Sequence, residues 1–317
     1  MSIISASRRT DIPALYGDWF MKHLEEGEFY TRNPYNNKQL SHITFNKEDI
    51  DCIVLWTKNP IPFMKHIEKL KEYPFYFQFT LTPYSKKIEP NLPEKKWLIE
   101  TFKELSEKTN KQVIWRYDPI IFTPQLTVDY HKEIFSKMAE LLKGYTDRCV
   151  ISFVDNYDST KMQYDSISDY KHNAALLEDI GTYIANEGRK NGMTVYTCAE
   201  TIDYGKTGLT RGRCIDPDYI RQICGYPIKA SKDSSQRGSC NCVESIDIGV
   251  YNSCTNGCRY CYATRNNSLV PITIKQYDLD SPILCDRIGT FERYTEKKLH
   301  SLRDFKREEN EMQITLF

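Results

Sequence analysis

Between residues 2 and 200 the chain repeats one pattern. A short apolar run rich in β-branched and aromatic residues is followed by a polar cluster, then by a stretch with apolar residues three and four apart. The apolar runs are 3–7, 52–56, 75–82, 112–117, 149–154 and 194–198, each of strand length and composition. The stretches 14–26, 61–72, 94–109, 128–143 and 168–190 carry helical spacing, as in Leu98, Phe102 and Leu105 or Ile134, Met138 and Leu141. Such alternation predicts parallel βα units. Residues 28–50 break the rhythm, with turn signals at Asn33-Pro34 and Asn36-Asn37 and an extra strand expected near Ile43. Alternation returns at 245–251, which reads as one more βα unit.

Each apolar run ends in polar residues: Arg8, Arg9 and Asp11 after the first, Thr57-Lys58-Asn59 after the second, Thr80 and Thr82 closing the third. Arg116 and Asp118 come after the fourth, Asp155-Asn156 after the fifth, and Cys198 and Glu200 at the sixth. The expected fold is an α/β architecture, a (β/α) barrel, TIM-like or partial, in which the C-terminal ends of the strands build the active site. Any one of these residues is equally an ordinary helix cap. Arg8, Arg116, Asp118 and Glu200 are nonetheless the candidates for catalysis, because an unpaired charge aimed into a barrel mouth is costly to hold without a task.

The 317 residues suffice for a sizeable core, and 43 basic against 43 acidic side chains leave no net charge. Whole-chain electrostatics therefore give no reason to expect a polyanionic partner. The first residues lack a secretory apolar segment and no run approaches the ~18 residues of a membrane span, so a cytoplasmic location with no membrane partner is expected. In a reducing compartment the eleven cysteines are metal ligands, redox groups or core residues rather than disulfides. Cys52 and Cys149 open apolar strands and read as small buried hydrophobes. The six histidines form no metal-spaced pair.

Eight cysteines fall between 198 and 261; Cys224 sits in a helix-like stretch and has no assigned role, and the other seven are candidate ligands. Cys254, Cys258 and Cys261 are spaced C-x3-C-x2-C, with Tyr260 just before the last. A loop offering three thiolates can occupy three corners of a cubane iron–sulfur cluster, which takes four cysteines when fully ligated; the fourth iron is left open. A zinc knuckle completed by Cys240 or Cys242 competes with this, as do buried free thiols. Cys198, Cys214, Cys240 and Cys242 suffice for a second cluster or a structural zinc, unless one of them completes the first site. The chain divides into three segments: 1–204 as the (β/α) units, 205–270 as the cysteine-rich segment completing the barrel, and 271–317 as a polar tail.

Cys254-Thr-Asn-Gly-Cys258-Arg-Tyr-Cys261-Tyr resembles the signature of the radical S-adenosylmethionine (SAM) superfamily. With Ser-Ala-Ser-Arg-Arg-Thr-Asp-Ile-Pro near the start, Trp-Thr-Lys-Asn-Pro and Trp-Arg-Tyr-Asp-Pro, the chain resembles the bacterial domain-of-unknown-function family 1848 over nearly its whole length. The radical-SAM resemblance implies a [4Fe–4S] cluster on the three cysteines with SAM on the open iron, and an electron donor as partner. It further implies Tyr260, Arg9 and Asp11 as cofactor-side candidates. In most radical-SAM enzymes the cysteine loop comes after the first strand; here it comes after the last. A permuted barrel brings 245–251 beside 3–7 and recovers the same order.

The terminal Gln313, Ile314, Thr315, Leu316 and Phe317 look like the peptide by which repair proteins dock on the bacterial sliding clamp, with two apolar anchors and a glutamine setting register. On that resemblance the expected function is a radical-SAM-type lyase or modifying enzyme acting on nucleic acid. The alternative is a non-catalytic iron–sulfur or zinc protein that binds nucleic acid or the replication machinery.

Overall fold

The computed structural model describes residues 2–154, 173–200, 202 and 204–309. Asp155, Asn156 and the terminal peptide 313–317 lie outside the described residues. The main element is a parallel sheet of eight strands: β1 (Ile3–Ala6), β4 (Cys52–Thr57), β5 (Phe75–Thr80), β6 (Val113–Ile120), β7 (Arg148–Phe153), β8 (Thr194–Thr197), β9 (Thr210–Arg211) and β10 (Ile246–Asp247). The row begins at β10, passes to β1, and then runs from β4 to β9 in chain order. The last strand of this sheet in the chain therefore lies beside the first, with Ile4 opposite Ile246 and Ser5 opposite Asp247. A parallel row with helical crossovers is what six alternating apolar runs require.

The two faces of the sheet are covered differently. Ile4, Leu55, Phe77, Trp115 and Ile151 face the helices Gly17–Glu26, Lys95–Lys108, Val128–Leu141 and Ala174–Lys190, burying Phe20, Phe102, Phe135 and Ile184 against them. Ile3, Val54, Tyr76, Ile114 and Val150 point the other way, as strand alternation demands, and pack against Cys214, Ile215, Tyr219, Ile220, Cys240, Cys242 and Val243. The cysteine-rich segment thus does more than supply β9 and β10. Between them it covers the second face, with helix Pro217–Cys224 laid over the inward side chains.

A second, three-stranded sheet pairs β2 (Glu28–Asn33) with β3 (Asn36–Thr44), the strand expected near Ile43, and β3 with β11 (Tyr294–Lys298). Residues 294–298, expected within a polar tail, instead form a strand. Their charged residues remain exposed because β11 is an edge with no covering layer. The neighbouring chain also returns to the N-terminal half: Trp19 donates to the Ser281 carbonyl, and Asp51 accepts from Ser301 and from the Leu302 amide. The helix expected over 61–72 is tighter at its start, a 3-10 turn at Ile61–His66 followed by Ile67–Leu70.

Candidate functional site

Because all eight strands run parallel, their C-terminal ends share one edge. There Asp247, near the end of the sheet-forming chain, is bound to its beginning. Its carboxylate accepts from the Ser5 and Ser7 hydroxyls, the Arg8 amide and the Gly249 amide. Gly249 has to be glycine here, since a Cβ would stand 2.0 Å from the Ser7 Oγ. The three-cysteine loop begins shortly afterwards, at Cys254.

The loop and its flanks are fastened to the N-terminal half at one residue after another. Tyr16 donates to the Ser253 carbonyl at 2.6 Å and Asn91 to that of Thr255 at 2.7 Å. Asn256 donates to Asp11 at 2.9 Å, and the Arg259 amide to the Ile88 carbonyl at 3.0 Å. Gly257 takes a left-handed φ of 71° against Pro90 and Asn91. Tyr260 donates to Glu89, and Tyr262 to the Arg8 carbonyl at 2.8 Å. This scaffold presents the thiols of Cys254, Cys258 and Cys261, near enough to influence one another electrostatically. Burial pushes the Cys254 thiol up, and pushes Cys258 to about 12 against the pull of Lys58.

Beneath Tyr260 lies a buried ion cluster. Glu89 accepts from Lys58 at 3.0 Å, from Thr82 at 2.8 Å, and from Lys95, while Lys58 stands 5.2 Å from the Tyr260 ring centre. Burial alone would raise the Glu89 carboxyl; the Lys58 and Lys95 ammonium groups and these hydrogen bonds outweigh it and hold the acid at about 2. Asp11 is buried, accepting from the Lys58 amide, the Ala14 amide and Asn256. Its carboxylate is occupied in holding the loop, so it acts on the loop's position. Arg9 reaches the Gly249 carbonyl at 3.3 Å and lies 5.6 Å from the Tyr251 ring centre.

A second group of thiols lies on the face covered by the cysteine-rich segment. The Sγ atoms of Cys198 and Cys214 are 3.2 Å apart, and Cys242 contacts both Cys214 and Cys240. The Cys240 thiol is held below its usual range, at about 7, chiefly by its hydrogen bond to Cys242. Arg116, in β6, is buried and donates to the Cys214 Sγ and the Gln78 side chain, 3.0 and 3.1 Å away, and to Asp118. Asp118 also accepts from Ser152. The Arg8 and Arg116 guanidinium groups both lie against the Trp56 indole, their central carbons 5.6 and 5.1 Å from its ring centre. Arg8, Arg116 and Asp118 thus border one region, while Glu200 accepts from the Phe153 amide at the end of β7. Among the described residues no set of three or more His, Cys, Asp or Glu side chains converges to hold a single metal ion.

Glu89 and Asp247 are not apparent from the sequence. Asp247 sits in a short alternating strand, where a carboxylate looks like a solvated residue, and Glu89 sits in a loop with no periodicity. Lys58 is visible there only as one polar residue after a strand. Cys52 and Cys149 are fully buried, as expected.

The stretch from β1 to the end of the three-cysteine loop coincides with a family boundary: the model of the domain-of-unknown-function family 1848 (DUF1848) matches residues 3–263. The chain belongs to this family. The DUF1848 match therefore takes in the parallel sheet, the second thiol group and the loop, and stops before β11. No curated protein matches the chain in sequence. Among solved structures it is similar to D-psicose 3-epimerase from Clostridium cellulolyticum H10, at 10% identity over 70% of this chain and 60% of that one, with a TM-score of 0.30. It is also similar to a putative alpha-L-fucosidase from Bacteroides thetaiotaomicron, at 14% identity over 55% and 72% of the two chains and a TM-score of 0.26. A third similarity is to the pneumococcal virulence factor StrH, at 9% identity over 74% and 67%, TM-score 0.27. The chain spans 60% of the epimerase's length, and likeness at these scores carries no argument about activity. No helix among the described residues is long and apolar enough to cross a membrane.

Proposed function

We propose that this DUF1848 protein is an iron–sulfur enzyme of the radical-SAM type, its (β/α) units forming a partial barrel with the cysteine-bearing unit permuted to the end of the chain. Cys254, Cys258 and Cys261 would hold three irons of a [4Fe–4S] cluster, and SAM would take the fourth. A cubane carries its thiolates on different irons, so the donors need not converge on one point as they must around zinc. When bound and reduced, the cluster supplies one-electron cleavage of SAM to a 5′-deoxyadenosyl radical.

The observation that carries the reading is where the remaining thiols lie. Cys240 and Cys242, the sulfurs nearest in sequence to the loop, associate with Cys214 and Cys198. Three thiols on the loop, with a fourth occupied elsewhere, support a centre with a vacant coordination position. The protein's own contribution is positioning. Asp11 and Asn256 set the loop height above β1, Tyr260 roofs the Lys58–Glu89 pair, and Lys58 places a positive charge near Cys258, which favours its thiolate. Arg8, Asp118 and Glu200 stand at the strand ends where a substrate would enter.

The test is anaerobic reduction of the reconstituted protein with SAM and chromatographic assay for 5′-deoxyadenosine. Its formation supports an enzyme of this type; an iron-loaded, reduced protein that leaves SAM intact favours a non-catalytic iron–sulfur protein instead.

A further inference from the structure

The chain carries no net charge, yet its carboxylates are unevenly placed. No Asp or Glu lies between Asp247 and Asp278, and none between Glu28 and Glu48. The first of these gaps holds the whole cysteine loop with Arg259, Arg265 and Lys275; the second holds the β2–β3 hairpin with Arg32, Lys38 and Lys47. A whole-chain sum hides such gaps, but where two of them meet they leave a local positive field.

The two segments meet beside the loop. Arg265 stands against two tyrosines, its guanidinium carbon 3.9 Å from the Tyr251 ring centre and 5.3 Å from that of Tyr35. Tyr251 and Arg265 come just before and just after the three cysteines. They are held together there because the Asn252 amide bonds to the Ala263 carbonyl and the Asn266 amide to the Asn252 side chain, both at 3.0 Å. Tyr35 is delivered by the hairpin turn, where its amide bonds to the Asn33 side chain at 2.9 Å. Its side chain is 81% exposed, and that of Tyr262, at the end of the loop, 42%. The carboxylates that approach this face are engaged: Asp247 by Ser7 and the Arg8 amide, Asp286 and Glu292 by Arg32. Arg259, Arg265 and Lys38 remain as exposed cations. Single exposed aromatics are common; rings interleaved with guanidinium groups around one loop can stack bases and meet phosphates together.

We propose that this face binds single-stranded nucleic acid, the Tyr35, Tyr251 and Tyr262 rings stacking bases while Arg259 and Arg265 meet backbone phosphates. Arg9, 5.6 Å from the Tyr251 ring centre, backs that ring from the strand end. An unpaired strand fits better than a duplex, because a duplex keeps its base faces stacked inside, out of reach of a side-chain ring. The face flanks the cysteine loop, so a strand lying on it passes over Cys254, Cys258 and Cys261. That the bound strand is also the substrate rests on the radical-SAM reading; the binding itself rests on charge and aromatic exposure alone.

Fluorescence anisotropy on the full chain tests this, with labelled DNA and RNA strands of about ten nucleotides, the matching duplexes, and no SAM. Single strands are expected to bind more tightly than duplexes, and the tighter of DNA and RNA names the sugar. Tyr35→Ala and Arg265→Ala, both surface changes whose folding circular dichroism checks, should each weaken binding about tenfold. Arg265→Ala should also lower the slope of log affinity against log salt by about 0.7. Phe305→Ala should change nothing: its exposed ring lies against Arg303, whose neighbour Leu302 bonds to Asp51 at the opposite edge of the sheet. A wild-type protein that binds no strand at low salt overturns the proposal, as does a duplex bound as tightly as the single strand. So do Tyr35→Ala and Arg265→Ala proteins that bind like wild type. Because SAM is absent, binding without any formation of 5′-deoxyadenosine in the separate assay removes the radical chemistry and leaves this surface standing. SAM cleavage without strand binding does the reverse.

Discussion

Asn256, inside the three-cysteine loop, donates at 2.9 Å to the buried carboxylate of Asp11, just beyond the first strand. The same carboxylate accepts the Lys58 amide just past β4. One side chain from the start of the chain therefore fixes both a neighbouring strand end and a loop from the far end of the sequence, as the β10–β1 pairing requires.

Replacing Asp11 with alanine would leave three donors without their acceptor. Loss of a single buried partner costs about 1–3 kcal/mol, so Asp11→Ala is expected to lower stability by roughly 3 kcal/mol in urea unfolding. The loop would lose its height reference as well. Iron release from the reconstituted protein to a chelator should be about tenfold faster, and Asp11→Asn should recover part of both effects.

Glu89 gives a pH dependence with a definite sign. Its folded carboxyl is held at about 2, against 4.5 for the free group. A depressed folded value means that the stabilisation is complete above 4.5 and is lost as pH falls toward 2. Acid unfolding of wild type should therefore steepen across that window. Glu89→Gln, which leaves Lys58 and Lys95 without their counter-charge, is expected to flatten the contribution and to cost about 3 kcal/mol at neutral pH. A chemical-denaturation series from acid to neutral pH measures both.

Arg116 spreads its donors over Gln78, Cys214 and Asp118 while facing the Trp56 ring. A lysine cannot reproduce that planar fork. Arg116→Lys is expected to cost roughly 2 kcal/mol in urea unfolding.

Gly249→Ala places a methyl group 2.0 Å from the Ser7 Oγ. Overpacking of this kind costs about 1–3 kcal/mol. Because Ser7 and Gly249 both bond to Asp247, the loss should appear as early exchange of the Arg8 and Gly249 amides in hydrogen-exchange measurements.

The parallel sheet is legible in the sequence because β1 and β4 to β8 are largely apolar runs, each bounded by turn or cap residues. A strand at β10 is legible from alternation around Ile246 and Ile248. By contrast β2 reads Glu-Phe-Tyr-Thr-Arg-Asn and β11 Tyr-Thr-Glu-Lys-Lys. Both are edge strands of a small sheet whose exposed positions erase the apolar signal. At the site, the cysteines and Arg8, Arg116 and Asp118 announce themselves by spacing or by strand position. Glu89 and Asp247 do not, because each of them matters through burial beside partners distant in the chain, such as Lys58 for Glu89 and Arg8 for Asp247. Nor does spacing reveal that Cys240 and Cys242 associate with Cys198 and Cys214 rather than with the loop; that comes from the hairpin folding under the sheet.

The proposed chemistry depends on a loop centre that keeps one iron free for SAM. Electron paramagnetic resonance of the reduced, reconstituted protein, recorded with and without SAM, is the sharpest test. A [4Fe–4S]+ signal whose g-values move when SAM is added is the expected result. A signal that SAM leaves unchanged would contradict it.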